Sequence, residues 1–277
     1  MYKLIACDMD ETLLDDNHLI SKKNIEAIKK AKAAGVKFVP ATGRGFHTIV
    51  GTLKELGLFD EKNEYVISFN GSAITENKGE RLLYFEEIPF EEAQKIYHRG
   101  LYYDVCIHIY TIDTVYVYNY VPEEKEYVGD RMPMVEILDQ NLDFLKGQPI
   151  VKMLYMNLNI PYLRQIEREV SDITGSMDVS YSSNRYLEFN KKGISKGAAL
   201  ISLTKLLGVK PEETIAIGDN FNDLSMIQAA GLGVGVRNIA KGMEKECGYI
   251  TKASNNESAV AEVIEKFVLN ENKEGLL

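Results

Sequence analysis

Leu4-Ile5-Ala6-Cys7-Asp8-Met9-Asp10-Glu11-Thr12 is the stretch on which the reading of this chain turns. Four apolar residues lead straight into two acids one residue apart, which places the acids at the carboxyl end of a strand, where an open α/β sheet binds ligands. A strand alternates its side chains with period two, so Asp8 and Asp10 point the same way. A second acidic pair, Asp219 and Asp223, follows another apolar run, Thr214-Ile215-Ala216-Ile217. The reading predicts that the four carboxylates converge.

Converging acids repel, and either some of them stay protonated or a cation sits between them. Hard oxygen donors with little thiolate or imidazole nearby select magnesium, so one bound Mg2+ is expected. Further along, Thr42, Lys196 and Asn222 are candidate donors to phosphate oxygens, and Arg44 adds local positive charge. Lys196 and the metal would neutralise charge in the loose transition state of phosphoryl transfer. That frees Asp8 to be the nucleophile, attacking phosphorus to give an aspartyl-phosphate and dividing a hard hydrolysis into two steps. Asp10 is placed to protonate the leaving oxygen and then to deprotonate the attacking water. Each fragment also has an ordinary reading: a strand entering a turn whose Thr12 bonds backbone, a lysine in the first turn of a helix capped by Ser195, and acids that cap the next helix. Their conjunction, each at a strand end or helix start, is what favours the chemistry.

The set Asp8-x-Asp10-x-Thr12, Thr42, Lys196 and Gly218-Asp219-x-x-Asn222-Asp223 resembles the four motifs of the haloacid dehalogenase superfamily. The long insert between the second and third motifs resembles the Cof-type branch with its large α/β cap, and the likeness covers the whole chain. It implies a doubly wound parallel-sheet, Rossmann-like core with an inserted α+β cap. It also implies a magnesium site of Asp8, the Asp10 backbone carbonyl and Asp219, with Asp223 orienting a metal-bound water and Thr12 supporting the site. Phosphate would be held by the Met9 backbone, Thr42, Gly43, Lys196 and Asn222. The expected function is hydrolysis of small phosphate monoesters, sugar phosphates or phosphorylated cofactors. A phosphomannomutase-like phosphotransferase and a non-catalytic phosphometabolite-binding protein are the alternatives.

Two residues depart from the family pattern. Glu11 stands where glycine is usual, adding negative charge and removing backbone freedom, with its side chain expected to point outward. Pro40 has no N–H to give a sheet ladder, so its strand is expected to end or bulge there.

The 277 residues are enough for about two domains, and 45% hydrophobic content supplies a core. Lys+Arg 32 against Asp+Glu 41 gives a net charge of −9, which argues against nucleic acid or an anionic membrane surface as partner. No run approaches the ~20 apolar residues of a membrane span and the start carries no signal-peptide pattern, so a cytoplasmic location is expected. Cys7, Cys106 and Cys247 are too scattered for disulfides or zinc, and Cys7 reads as a buried strand residue. The histidines read as surface or packing residues, His47 being the one placed to face the cleft.

Strand and helix alternate from a capped helix over Ser21 to Gly35 onward, with the first strand, Leu4 to Cys7, central and Asp8 at a switch point. The expected core is 1–84 and 189–277, with a cap over 85–188. In the cap, the pattern predicts a helix from Phe90 to Leu101, a hairpin of Val105 to Tyr110 and Thr114 to Tyr120, a helix near Leu138 to Leu145, a strand over Val151 to Leu158, a helix from Tyr162 to Thr174, and two short strands. An insert between Thr42 and Lys196 is placed to close over the site and filter substrates. Its many tyrosines, Tyr116 and Tyr118 among them, read as packing residues of a half-buried sheet rather than a substrate wall. Gly231 to Val236 lacks the dinucleotide-binding glycine spacing and reads as the last core strand. The polar tail from Asn270 to Gly275 is expected to fray.

Overall fold

In the computed structural model, which describes residues 1–129 and 134–269, the opening apolar run forms β1 (Leu4–Cys7) with every side chain buried. The tail from Asn270 onward lies outside the described residues. Helix α1 (Lys22–Ala33) starts where the Ser21 hydroxyl accepts the Asn24 N–H, and buries Asn24, Ala27, Ile28 and Ala31 on one face. Strand β2 (Lys37–Pro40) pairs parallel with β1 and ends at Pro40, opposite Cys7, as the missing N–H requires. The chain then passes through a 3-10 turn (Phe46–Ile49) into the short α2 (Val50–Glu55). Strands β3 (Tyr65–Ser68), β4 (Ala73–Glu76) and β5 (Arg81–Phe85) form an antiparallel meander, a local break in the alternating pattern. The bridge Ala41↔Ile67 ties the meander to the end of β2.

The second unit opens with α3 (Phe90–Gly100), then β6 (Cys106–Thr111) and β7 (Val115–Tyr118) as an antiparallel hairpin. Helix α4 (Pro122–Val128) and β8 (Met134–Ile137), which lies parallel to β7, follow. Sequence reading found neither, although proline at the first position with Glu123 and Glu124 in the first turn is a helix-start signal. The helix expected near Leu138 to Leu145 is only a 3-10 turn at Asp143–Leu145. The Asn141 side chain accepts the Asp143 N–H at 3.0 Å, and this local bond favours the turn over a longer helix. Next come β9 (Ile150–Met156), α5 (Ile160–Glu169), shorter than expected, β10 (Met177–Ser182) and β11 (Tyr186–Lys191). These strands form one sheet in the order β10-β11-β9-β6-β7-β8. One face carries Ile107, Ile109, Met153, Tyr155, Leu187 and Phe189 against Ala93, Ile96 and Tyr97 of α3 and Leu163 and Ile166 of α5. Tyr116 and Tyr118 pack on this same cluster.

The chain returns through α6 (Lys196–Leu207), closed by Gly208 at φ 66°. Then follow β12 (Thr214–Gly218), α7 (Leu224–Ala229), β13 (Leu232–Gly235), β14 (Tyr249–Ile250) and α8 (Ala259–Ile264). The main sheet is parallel, in the order β14-β13-β12-β1-β2, so β13 is not its last strand. The chain leaves β1 for β2 on one side and returns to β12 on the other, the switch point that the alternating pattern predicts. Leu4, Ala6, Val39 and Ala216 pack on Ala199, Leu200 and Leu203 of α6, while Ile5 and Cys7, which face the other way, are also fully buried. Two compact units result: Met1–Phe85 with Ser195–Leu277, and Glu86–Ile194. Among the described residues, no helix is long and apolar enough to cross a membrane.

Candidate active site

Strand alternation puts Asp8 on the α6 side of the sheet, in line with Leu4 and Ala6. Lys196, the first residue of α6, is fully buried there. Its Nζ donates to Asp8 Oδ1, and to Asp223 Oδ1 at 2.6 Å. Two glycines allow this approach. A Cβ on Gly197 would sit 2.2 Å from the Ser225 carbonyl oxygen, and one on Gly71, at φ +103°, would sit 2.3 Å from the Ser195 carbonyl oxygen. Gly218 likewise leaves room for Asp223, whose Cβ would be 2.5 Å from an added methyl. Asp223 Oδ2 accepts the backbone N–H groups of Asp219 and Asn220, both at 3.1 Å. Asp223 is thus saturated by Lys196 and the loop it caps, which defines it as the residue that holds Lys196 in place.

Asp219, after β12, accepts the Thr12 hydroxyl on Oδ1 at 2.7 Å. Asp8, Asp219 and Asp223 each offer a carboxylate oxygen within 4.8 Å of the others, and all three are buried. Burial first, then the neighbouring Asp223 charge, pushes the Asp8 carboxyl up to about 7 in spite of Lys196. Burial, Asp223 and Asp8 push Asp219 up to about 9. Burial opposes the charge on Lys196, but Asp223 and Asp8 outweigh it and raise its pKa, keeping the ammonium. One lysine facing three carboxylates leaves negative charge uncompensated. Asp8 Oδ2 and Asp219 Oδ2 have no hydrogen-bond partner among the described residues, so this all-oxygen donor set fits a hard divalent cation.

Asp10 departs from convergence. Its side chain is half-exposed and receives Arg44 Nε at 2.9 Å and Arg44 Nη2, with His18 Nδ1 3.7 Å away. The acid cluster therefore contains three carboxylates rather than four, and only the backbone carbonyl of Asp10 is left as its route to a metal. Arg44, expected on phosphate, is committed to Asp10. The backbone between Asp8 and Asp10 explains the split: the strand has ended at Cys7, and the chain turns through Met9–Leu13 with Glu11 at φ 58°, ψ 9°.

Thr42 is buried. Its N–H donates to the Ile67 carbonyl at 2.9 Å and its Oγ1 accepts the Arg44 N–H at 3.0 Å, which leaves the hydroxyl proton for a ligand. Gly43 passes close to Asn70, whose Oδ1 lies 3.0 Å from where a Cβ would stand. Asn70 and Phe69 donate their N–H groups to the Thr42 and Arg44 carbonyls at 3.0 Å, so the turn after β3 is zipped onto the Thr42 loop. Nothing local in the sequence marks Asn70-Gly71 as supporting a site. Asn222 is half-buried in the turn Phe221–Asp223 and makes no side-chain hydrogen bond among the described residues. Met9 sits with its side chain fully buried, its carbonyl accepting the Leu14 N–H at 2.8 Å. His47 pairs with Glu80 at 3.3 Å. Glu11 is exposed, as expected, and its left-handed backbone costs a non-glycine residue about 1 kcal/mol. This φ explains why glycine suits the position.

A model of haloacid dehalogenase-like hydrolases matches residues 5–264. The chain belongs to this family. It is a phosphatase of the haloacid dehalogenase type, with relatives that match end to end. It is 31% identical to YxeH of Bacillus subtilis over 97% of this chain and 99% of that one. It is 31% identical to 5-amino-6-(5-phospho-D-ribitylamino)uracil phosphatase YcsE of the same organism over 96% of each. Among solved structures, a haloacid dehalogenase-like hydrolase from Bacteroides thetaiotaomicron superposes with a TM-score of 0.82 at 31% identity, covering 96% of this chain and 99% of that one.

The second unit holds a buried polar cluster of its own. On the sheet face opposite the helices, Lys152 pairs with Glu188 at 3.3 Å, and Glu188 accepts the Ser182 hydroxyl at 2.6 Å. Glu124 accepts Arg185 at 2.9 Å and Tyr186 at 2.5 Å. Fully buried His108 lies 3.5 Å from Glu124 and makes no side-chain hydrogen bond among the described residues. No sequence pattern announced this cluster, because its members come from α4, four strands and the turn between β10 and β11, which only the sheet brings together.

Proposed function

We propose that the protein is a magnesium-dependent phosphatase that hydrolyses small phosphate monoesters through an aspartyl-phosphate on Asp8. The observation that carries this reading is the buried group of Asp8, Lys196, Asp219 and Asp223 at the switch point of a parallel sheet. Asp8 Oδ2 would attack phosphorus, forming one P–O bond as the bond to the leaving oxygen breaks. Asp10, once released from Arg44, would give that oxygen its proton and later take one from the water that displaces Asp8. Lys196 and the Thr42 hydroxyl would balance charge on the phosphoryl oxygens. Magnesium, held by Asp8, Asp219 and the Asp10 carbonyl, would supply further positive charge and keep Asp8 ionised. Asn222 and the Met9 and Gly43 backbone complete the proposed phosphate contacts, and Thr12 and Asp223 support the acids and lysine.

Selectivity is assigned to the inserted unit, 86–194, on the ground of its position between the second and third motifs. Sugar phosphates and phosphorylated cofactors are the substrate classes we favour. The ribityl phosphate on a uracil ring named for YcsE falls within them.

The test is phosphate release from a panel of sugar phosphates, nucleotides and cofactor phosphates with and without Mg2+, together with the intact mass of acid-quenched protein. Metal-dependent release and a phosphoryl adduct absent from Asp8→Asn support the proposal. Turnover retained by Asp8→Asn refutes covalent catalysis there, and activity that requires a bisphosphorylated sugar points to a phosphotransferase.

A further inference from the structure

Three consecutive residues after β3 hold a left-handed backbone: Phe69 at φ 51°, Asn70 at φ 56° and Gly71 at φ 103°. Such a φ is disfavoured for residues with a Cβ, and most of all for one as large as phenylalanine. All three are buried, and strain kept beside a site calls for a function. The turn reaches two parts of the site, and glycine makes room at each contact. A Cβ on Gly45 would sit 2.7 Å from Phe69 Cζ, and one on Gly43 would sit 3.0 Å from Asn70 Oδ1. The Phe69 and Asn70 N–H groups donate to the Arg44 and Thr42 carbonyls, both at 3.0 Å. At the other end, a Cβ on Gly71 would sit 2.3 Å from the Ser195 carbonyl oxygen and 3.1 Å from the Lys196 nitrogen. That end is itself anchored, because the Gly197 N–H donates to Ser225 Oγ at 3.0 Å. One buried turn therefore touches both the loop that carries Thr42 and the helix start that carries Lys196.

We propose that Asn70 is a positioning residue: anchored through Gly71 on the start of α6, it holds Thr42 and Gly43 at a set distance from Lys196. Its side chain bears on Gly43 and its main chain on Thr42, so both phosphate contacts assigned to that loop depend on it. The inference rests on the phosphate contacts of the proposed function, and its readout is phosphate binding rather than turnover.

Full-length parent, Asn70→Gly, Asn70→Ala, Gly43→Ala and the double variant Asn70→Gly/Gly43→Ala are titrated with inorganic phosphate in the presence of Mg2+, followed by phosphorus nuclear magnetic resonance. Their melting temperatures are recorded alongside. Both Asn70 variants lose the side chain, but only alanine must hold the left-handed backbone with a Cβ. Both are expected to bind phosphate roughly tenfold more weakly, the equivalent of one hydrogen bond to a charged group, although Asn70→Ala melts lower. Gly43→Ala presses a methyl against Asn70 Oδ1 and should weaken binding more in the parent than in Asn70→Gly, where that atom is gone. Parent-like affinity of Asn70→Gly, a loss of affinity that follows melting temperature across the two Asn70 variants, additive effects in the double variant, or no phosphate binding by the parent each overturns the inference. Ester hydrolysis by the parent with unchanged phosphate affinity in Asn70→Gly refutes the inference and leaves the phosphatase reading intact. Phosphate binding that weakens as expected in a protein that hydrolyses no ester leaves the inference standing and refutes the phosphatase mechanism.

Discussion

Lys196→Met is the perturbation that most directly tests the electrostatics of the site. The lysine is fully buried and hydrogen-bonded to Asp8 and Asp223, two of the three clustered acids, and among the described residues it is the one cation paired with any of them. Methionine fills much the same volume, so the loss is chiefly of charge. Removing one partner of a buried ion pair costs about 3–5 kcal/mol, because the other partner stays buried without compensation. Against a total stability of about 5–15 kcal/mol, that is a large share, and it corresponds to a fall in melting temperature on the order of 10 °C. The penalty has a sign in pH. Asp8 and Asp219 already sit at about 7 and about 9 in the folded protein against 3.8 ordinarily. A carboxyl raised in this way destabilises the fold progressively as pH climbs from its ordinary value through its folded one. Loss of Lys196, which holds the Asp8 carboxyl down, raises Asp8 further. The variant is therefore expected to melt well below the parent at pH 8 and closer to it at pH 5.5, where Asp8 and Asp219 are protonated. Saturating Mg2+ should recover part of the loss at pH 8, by about 2.7 kcal/mol at a concentration 100 times its Kd. Circular-dichroism melts at the two pH values, with and without Mg2+, measure all of this. Identical melting of Lys196→Met and the parent at pH 8 without metal would show that the lysine does not compensate these acids.

Thr12→Val removes the hydroxyl that orients Asp219 and should weaken Mn2+ or Mg2+ binding at neutral pH by roughly 10–100-fold, as read by calorimetry; unchanged affinity would mean that Asp219 needs no such support. Gly71→Ala would force a methyl against the Ser195 carbonyl at a positive φ and should cost about 1–3 kcal/mol while lowering activity by displacing Lys196; a variant of full stability and activity contradicts that packing. His108, buried and beside Lys152, has its pKa pushed down to about 3 from 6.5. A histidine lowered by folding makes the protein lose stability as pH falls below 6.5, by up to about 1.4 kcal/mol per pH unit until its folded value is reached. Glu188 and Glu124 keep their partners Lys152 and Arg185, so His108→Gln should flatten the acid limb of a stability profile taken from pH 6.5 downward; an unaltered slope assigns the acid sensitivity elsewhere.

Local pattern carried much of the fold. The apolar run leading into Asp8 and the Ser21 and Ser195 caps are signals written within a few residues of the elements they bound, and each element started where expected. The cap was less legible. Asn141 diverted an apolar stretch into a turn, and β8 is an edge strand whose half-exposed residues carry little alternation.

The order of the four motifs, and the expectation that Asp8, Lys196, Asp219 and Asp223 lie together, were determined by the sequence itself, because side chains at strand ends and helix starts meet at one edge of an open α/β sheet; the same expectation included Asp10. Tertiary structure alone decided how their charges pair. A period-two argument aimed Asp8 and Asp10 together, but the strand stops at Cys7 and the left-handed turn at Glu11 redirects the chain. Asp8 is thereby buried against Lys196 while Asp10 is paired outward with Arg44. Pairing of charges depends on distances across 27 to 188 residues of sequence, and those distances exist only once β1, β2, β12 and the start of α6 are packed side by side.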